Sequence, residues 1–465
     1  MSITTYMPYT PTTGQWVAIQ KLSVFFDSEA EQVFVLQGYA GTGKTTLLQG
    51  VFDYLDAQKR PYRLMASTGR AARVLANKTE RSAVTIHSSI YVVDAQKSEV
   101  TEQKKSIAFK LRLNPDDKET VYFIDEASMI ADRSETNQQL LFDDGRFLDH
   151  IFRFIGKRKI IFIGDNAQLP PVNCNFSAAL DPTYLAKQYH KTVIDSSLTE
   201  VKRQAEPGGI IDNATQLREK LFSGAMPPLA LGASMWPDVV TPPNIWSAIS
   251  KYTRQILNSG FEKAVFITLS NGSAHYLNSQ VRNGLYHRPN PPLQNGEWLM
   301  VVQNNYATGY NNGQHLLLKS FSDTGEKVGT VSLIDAETED PETGKIQTVK
   351  IIKDLLYCAS PSLTVEEDKA FTVDFALRMK RKNIKSGSDL FLQYMISDKR
   401  FNALRVKFGY AITCHKAQGG EWDTVYVQIE PAFDKLPREN QYRWLYTAIT
   451  RAAKRLIIPQ HNILY

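Results

Sequence analysis

Gly38-Tyr39-Ala40-Gly41-Thr42-Gly43-Lys44-Thr45 lies between the run Val33-Phe34-Val35-Leu36-Gln37 and the run Thr46-Leu47-Leu48-Gln49-Gly50-Val51-Phe52-Asp53-Tyr54-Leu55. The upstream run is short, apolar and rich in Val and Phe, the pattern of a buried strand; the downstream run repeats its apolar positions at helical spacing. Strand, glycine-rich G-x-x-x-x-G-K-[ST] loop and helix in that order form a phosphate cradle. Glycines let successive backbone N–H groups converge on phosphate oxygens, and the helix start adds the positive end of its dipole. Gly38, Gly41, Thr42, Gly43, Lys44, Thr45 and Thr46 are therefore expected to hold a nucleoside triphosphate, with Lys44 reaching the terminal phosphates and Thr45 ligating Mg2+. A chance glycine-rich loop would not need that strand and that helix on either side.

Two further apolar runs end in polar groups. Val121-Tyr122-Phe123-Ile124 leads into Asp125-Glu126, and Ile160-Ile161-Phe162-Ile163 leads through Gly164-Asp165 to Gln168. In an open parallel sheet, ligands sit outside the carboxyl ends of the strands, so these groups are expected beside the phosphate loop. Asp125 is suited to hold Mg2+, Glu126 to polarise an attacking water and Gln168 to orient it. The acids alone leave open a phosphotransferase, in which a substrate hydroxyl replaces water, and a solvated helix start.

The 465 residues suggest two to four domains. No run approaches the roughly 18 apolar residues of a membrane span. The start, MSITTYMPYT, lacks the basic and apolar regions of a secretory signal. Cys174, Cys358 and Cys414 are scattered and odd in number, against a disulfide framework or zinc site and in favour of a reducing, cytoplasmic setting. A net charge of +6 is compatible with a polyanionic partner but does not establish one.

Nine segments in order resemble superfamily 1 helicases, specifically the 1B branch of RecD-like and phage Dda-like enzymes. They are TTGQWVAIQ around Gln15, GYAGTGKTT, MASTGRAARVL, TIHSSI, FIDEASMI, IGDNAQLPPV, LTEVKRQ, YAITCHKAQGGEWDTVYV and YTAITRAAKRLII. They run along nearly the whole chain. The resemblance implies an ATP- and Mg2+-dependent enzyme that moves on single-stranded DNA, 5′ to 3′, and separates strands at junctions between single- and double-stranded DNA. Such enzymes serve DNA repair, recombination and replication, and a monomer is expected. Gln15 resembles an adenine-sensing residue, Gln168 a γ-phosphate sensor, Arg203 and Arg451 a pair of arginine fingers, and Glu421 a ribose-contacting acid. Guanidiniums suit the charge that develops on a transferring phosphoryl group, and an arginine supplied by a second domain would tie hydrolysis to closure. The alternatives are a translocase or nuclease-assembly subunit without strand separation, and a phosphotransferase.

The fold expected is α/β, with two RecA-like P-loop cores, a small hairpin insertion in the first and a β-rich SH3-like insertion in the second. Core 1 is expected over 1–195, with its insertion near 91–119 in the place of a strand-separating wedge. Core 2 is expected over 196–291 and 401–465, around the strand Ala264–Thr268 and a following segment with Asn271. Residues 292–400 form the β-rich insertion, with Thr338–Gly344 as a hairpin tip. Thr68, Arg70, His87, Thr413 and His415 are implied by resemblance as strand contacts. Tyr306, Trp422 and Trp444 offer stacking faces or core packing, and the basic run Arg378–Lys385 phosphate contacts or a solvated helix face.

Overall fold

The computed structural model describes residues 2–100, 105–136, 140–201, 208–305 and 307–465; for 95–96, 98–100, 105–106 and 140 only the backbone is considered. The phosphate-loop strand Val33–Gly38 lies inside a six-stranded parallel sheet. In spatial order the strands are Ala83–Thr85, Tyr62–Ala66, Val121–Asp125, Ile160–Gly164, Val33–Gly38 and Val193–Leu198. Ile160–Gly164 is buried along its whole length, because helices cover both faces of a parallel sheet and leave no wet side for alternation. Phe162 is fully enclosed, a burial worth about 2–3 kcal/mol. The helix Thr13–Asp27 starts in a capping box, Thr12 Oγ1 accepting from Gln15 N and Gln15 Oε1 from Thr12 N. The outer strand runs to Leu198, so the first core ends a few residues beyond 195.

A second parallel sheet holds Val239–Val240, Ala452–Ile457, Trp422–Val427, Ala264–Thr268 and Ala411–Thr413. One face packs the helices Gly209–Phe222 and Arg438–Ile449 through Leu217, Trp444 and Leu445. The other packs Ile245–Ser259 and Asn271–Leu285 through Tyr252, Leu277 and Val281.

Between these pieces lies an antiparallel sheet of Trp298–Val301, His315–Ser322, Lys327–Val328, Val331–Glu339 and Ile346–Ile352, completed by Val406–Phe408. The turn joining Val331–Glu339 to Ile346–Ile352 carries Gly344 at φ 68°, a left-handed position. Two features depart from the sequence reading. Residues 353–397 are largely helical, as Lys353–Tyr357, Val365–Arg381 and Asp389–Ser397, and the sheet takes its last strand from beyond residue 400. Apolar spacing in VEEDKAFTVDFALRMKR is helical, and a Thr364–Glu367 capping box starts that helix. The basic run from Arg378 falls at its end, where Arg378 is spent on Asp374 and Asp398.

The first core's insertion is a hairpin of Tyr91–Val100 and Lys105–Leu111, with Leu140–Leu141 alongside. Its base is aromatic. Phe109 stacks on Phe142 at 5.1 Å, Phe142 meets Tyr91 at 4.8 Å, and His87 stacks on Phe147 at 4.6 Å.

Candidate nucleotide-binding cleft

At the carboxyl ends of the first sheet's strands, a cleft of about 490 Å3 opens between the two cores. Gly41, Gly43, Lys44, Thr45, Thr46, Asp125, Glu126 and Gln168 form one wall, and Gly419, Gly420, Glu421 and Arg451 the other. Its size suits a nucleotide-sized ligand.

The loop conformation follows from its glycines. Gly41 and Gly43 have φ of 80° and 76°, which side chains rarely adopt. At Gly38 a Cβ would stand 2.8 Å from Lys44 Cγ and 2.9 Å from Thr42 Oγ1. Lys44 Nζ donates to the carbonyls of Gly38 at 2.5 Å and Tyr39 at 3.0 Å. Thr42 is buried and holds the loop from behind, its hydroxyl donating to Tyr39 O at 2.8 Å.

The carboxylates meet a hostile dielectric. Asp125 accepts from Glu126 N at 2.9 Å, and burial raises it above the ordinary carboxyl range, opposed by that N–H and by the Lys44 charge. Burial raises Glu126 too, and the Asp125 charge adds to it, while Arg451 and Lys44 pull it back. Glu126 sits at φ 51°, and its enclosed Oε2 has no hydrogen-bond partner among the described residues. Gln168 Oε1 is likewise enclosed without a partner. A strained backbone residue and two orphaned oxygens facing a cleft point to chemistry rather than packing. Two desolvated carboxyls are also what a divalent cation relieves. Among the described residues no group of three or more His, Cys, Asp or Glu forms a cation cage.

Arg451 brings the facing core to this wall. It is buried, and donates to Thr447 O at 3.1 Å, Gly420 O at 3.3 Å and Thr450 Oγ1 at 3.2 Å. Arg203 lies outside the described residues. Glu421 lines the cleft and pairs with Lys78 across it at 2.9 Å. Gln15 does not line it. Its Nε2 donates to Thr42 O at 3.0 Å and its Oε1 closes the capping box, so it buttresses the loop instead of reaching a base.

Sequence reading missed several residues that hold the cores together. Tyr446 OH donates to Asp165 Oδ2 at 2.6 Å and accepts from Ala40 N at 3.0 Å. Thr447 Oγ1 accepts from Leu169 N at 2.9 Å, and Gln418 Nε2 donates to Leu169 O at 2.9 Å. Asp165 follows a buried strand as Asp125 does, a signal that was present. Tyr446 carried none, because its partners lie hundreds of positions away.

The residues implied as strand contacts do not converge. Thr68 caps the helix Gly69–Thr79, accepting from Ala71 N at 3.1 Å. His87 pairs with Glu135 at the hairpin base. Thr413 ends a second-core strand, and burial lowers the neighbouring His415. Arg70 is a correction. Its stem is partly exposed, but its head is enclosed between cores, 4.5 Å over the Trp422 ring and bonded to His315 of the antiparallel sheet. Trp422 is thus covered by a cation, and Trp444 is a core residue against Phe433; neither offers a free stacking face. Tyr306 lies outside the described residues.

A family profile described as an AAA domain matches residues 11–226, and one described as a UvrD-like helicase C-terminal domain matches residues 408–458. The first contains the phosphate-loop wall of the cleft and the second the Arg451 wall. The ATP-dependent DNA helicase Dda of Enterobacteria phage T4 is 25% identical over 91% of this chain and 93% of its own. The chain is thus similar to ATP-dependent DNA helicases along nearly its whole length. The ATP-dependent RecD2 DNA helicase of Deinococcus radiodurans is 24% identical over 94% of the chain but only 48% of its own length. The chain therefore spans about half of that relative. A crystal structure of Pif1 helicase from Bacteroides, in complex with ADP-AlF3 and ssDNA, aligns at a TM-score of 0.50 and 18% identity over 97% of this chain and 92% of that one. At that identity the likeness speaks for the fold.

Proposed function

We propose that the chain is an ATP-dependent DNA helicase that moves along single-stranded DNA and separates strands at single-strand/duplex junctions. The observation that carries the reading is one cleft with the phosphate loop on one wall and Arg451 on the other. A phosphoryl transition state spreads charge over its equatorial oxygens. Lys44 and Arg451 approach that charge from different cores, so hydrolysis needs the cores together. ATP that binds the closed arrangement better than the open one biases the equilibrium, and two gripping surfaces then advance in turn.

Glu126 is the group that polarises water, and Gln168 orients it. Thr45 and Asp125 would hold Mg2+, which supplies charge neutralisation at the phosphates. Glu421 and Lys78, both cleft-lining, face the sugar. Thr68, His87, Thr413 and His415 are proposed strand contacts, and the hairpin on its aromatic base is the proposed wedge. The 5′ to 3′ direction and a monomeric working form rest on the likeness to 1B enzymes. Among the described residues, no helix is long and apolar enough to cross a membrane.

The test is an ATPase and unwinding assay on matched DNA and RNA substrates with 5′ or 3′ tails. Single-stranded DNA should stimulate hydrolysis, and 5′-tailed duplexes should be unwound. Hydrolysis indifferent to every nucleic acid would remove the motor reading. Stimulated hydrolysis without unwinding would leave a translocase.

A further inference from the structure

Gln168 belongs to the first core, since its loop follows the strand Ile160–Gly164, yet second-core side chains hold that loop along its length. Tyr446 meets Asp165 at one end, and Thr447 and Gln418 take Leu169 N and Leu169 O at the other. Between them stands Arg443, on the helix Arg438–Ile449. Its Nη1 donates to the carbonyl of Asn166 and, at 3.3 Å, to that of Gln168. Its Nε and Nη2 both reach Glu439 Oε1 at 2.8 Å, one turn back on the same helix. Arg443, Thr447 and Arg451 follow one another at intervals of four. That spacing sets the first two on one helix face, with Arg451 just past the helix end.

A guanidinium suits this place. Its planar fork divides between a carboxylate and two carbonyls at once, which an ammonium on a flexible stem does not reproduce. Gln168 N donates to Asp165 O at 3.3 Å, so the turn is closed from within by one bond and pinned from the facing core by Arg443. The arginine side chain is only 14% exposed, and water competes little for those carbonyls.

The consequence lies with Gln168 itself. It lines the cleft, and its enclosed Oε1 has no partner among the described residues. An amide that must meet a water beside the terminal phosphate takes its direction from the backbone beneath it, and a misplacement of about 1 Å costs roughly 100-fold in rate. When the cores part, Arg443 leaves with its helix and the turn loses that support.

We propose that Arg443 is a positioning residue for hydrolysis: from the second core it sets the backbone under Gln168 and so aims that amide at the attacking water when the cores close. This rests on the water-orienting role given to Gln168 above.

The test is single-turnover hydrolysis at saturating ATP and oligo-dT, with nucleotide affinity followed separately through a fluorescent ATP analogue. Arg443→Met keeps the stem and removes the fork. It should lower the rate about 10- to 100-fold and leave affinity for the analogue within about threefold of parent. The deciding measurement is the same substitution in a Gln168→Ala background, where the residue that Arg443 acts through is gone. The further loss there should be no more than about twofold, whereas independent roles multiply. An arginine that merely supports the fold gives the multiplied loss, and that result overturns the proposal. Glu439→Gln loosens the anchor of the guanidinium from its exposed side. It should show a smaller loss with the same dependence on Gln168, and it serves if Arg443→Met does not fold; a parental rate in Glu439→Gln would then overturn the proposal. Parental turnover in Arg443→Met beside an impaired Gln168→Ala overturns the positioning role and leaves Gln168 its own. Gln168→Ala that hydrolyses at the parental rate removes the water-orienting reading, and the proposal with it.

Discussion

Replacing Arg70 separates two roles, strand contact and clamp between bodies. In the structure its guanidinium lies 4.5 Å over Trp422 of the second core and bonds His315 of the antiparallel sheet. A desolvated cation–π contact contributes about 2 kcal/mol and a hydrogen bond from a charged group about 1.5–3 kcal/mol. Against this, burial pulls the guanidinium down to about 10, an opposing cost of about 3 kcal/mol. The charge therefore nearly cancels, and what remains is the packing of the stem against Trp422 and the Gly419–Gly420 loop. Arg70→Met keeps that packing and should change closure by about 1 kcal/mol or less. Arg70→Ala leaves a hole and should cost about 3 kcal/mol. Gly420 and Glu421 line the cleft, and Trp422 N donates to Arg451 O at 3.0 Å, so the loss should appear in nucleotide use. The assay is strand-stimulated hydrolysis against ATP concentration. KM for ATP should rise about tenfold or more in Arg70→Ala and stay within about fivefold of parent in Arg70→Met. The salt slope of oligonucleotide binding should match parent in both. If Arg70→Met bound the strand tenfold more weakly with a shallower slope, Arg70 would be a strand contact and the clamp argument would be wrong.

Other substitutions follow from the same geometry. Glu126→Gln should retain nucleotide in a binding assay and lower single-turnover hydrolysis about 100-fold or more; near-parental turnover would remove its role. The same variant should be more stable than parent at neutral pH, since an acid held above its ordinary 4.5 by burial destabilises the fold when ionised. That advantage should fade as pH falls through the raised value towards 4.5, and a Tm difference constant with pH would contradict it. Tyr446→Phe leaves Asp165 Oδ2 and Ala40 N without their bridge and should cost about 1–3 kcal/mol in thermal unfolding. Arg451→Lys keeps a charge but not the fork bound to Thr447, Thr450 and Gly420, so kcat should fall at least about tenfold with ATP still bound.

Local chemistry was legible wherever a function needs contiguous residues. The loop from Gly38 to Thr45 must be read in one stretch, because consecutive N–H groups make the cradle; Asp125 and Gln168 follow apolar runs that could only be buried strands. The helices within 353–397 were legible in principle from their capping box and spacing, but the neighbouring β-rich pattern outweighed them. Gln15 and Arg70 misled for another reason. Their types suit ligand contact, and what they touch depends on chain segments far away.

By itself, the amino-acid order determined that this protein has a parallel-stranded core with a triphosphate loop and two acids at its strand ends, since strand period, helix period and loop glycines are properties of neighbours along the chain. Only the tertiary structure decided which side chains complete the cleft from across it. Arg451 and Gln168 line one cleft and Arg70 is enclosed, because the packing of separate apolar faces fixes those encounters, and no local propensity carries information about a partner hundreds of residues away.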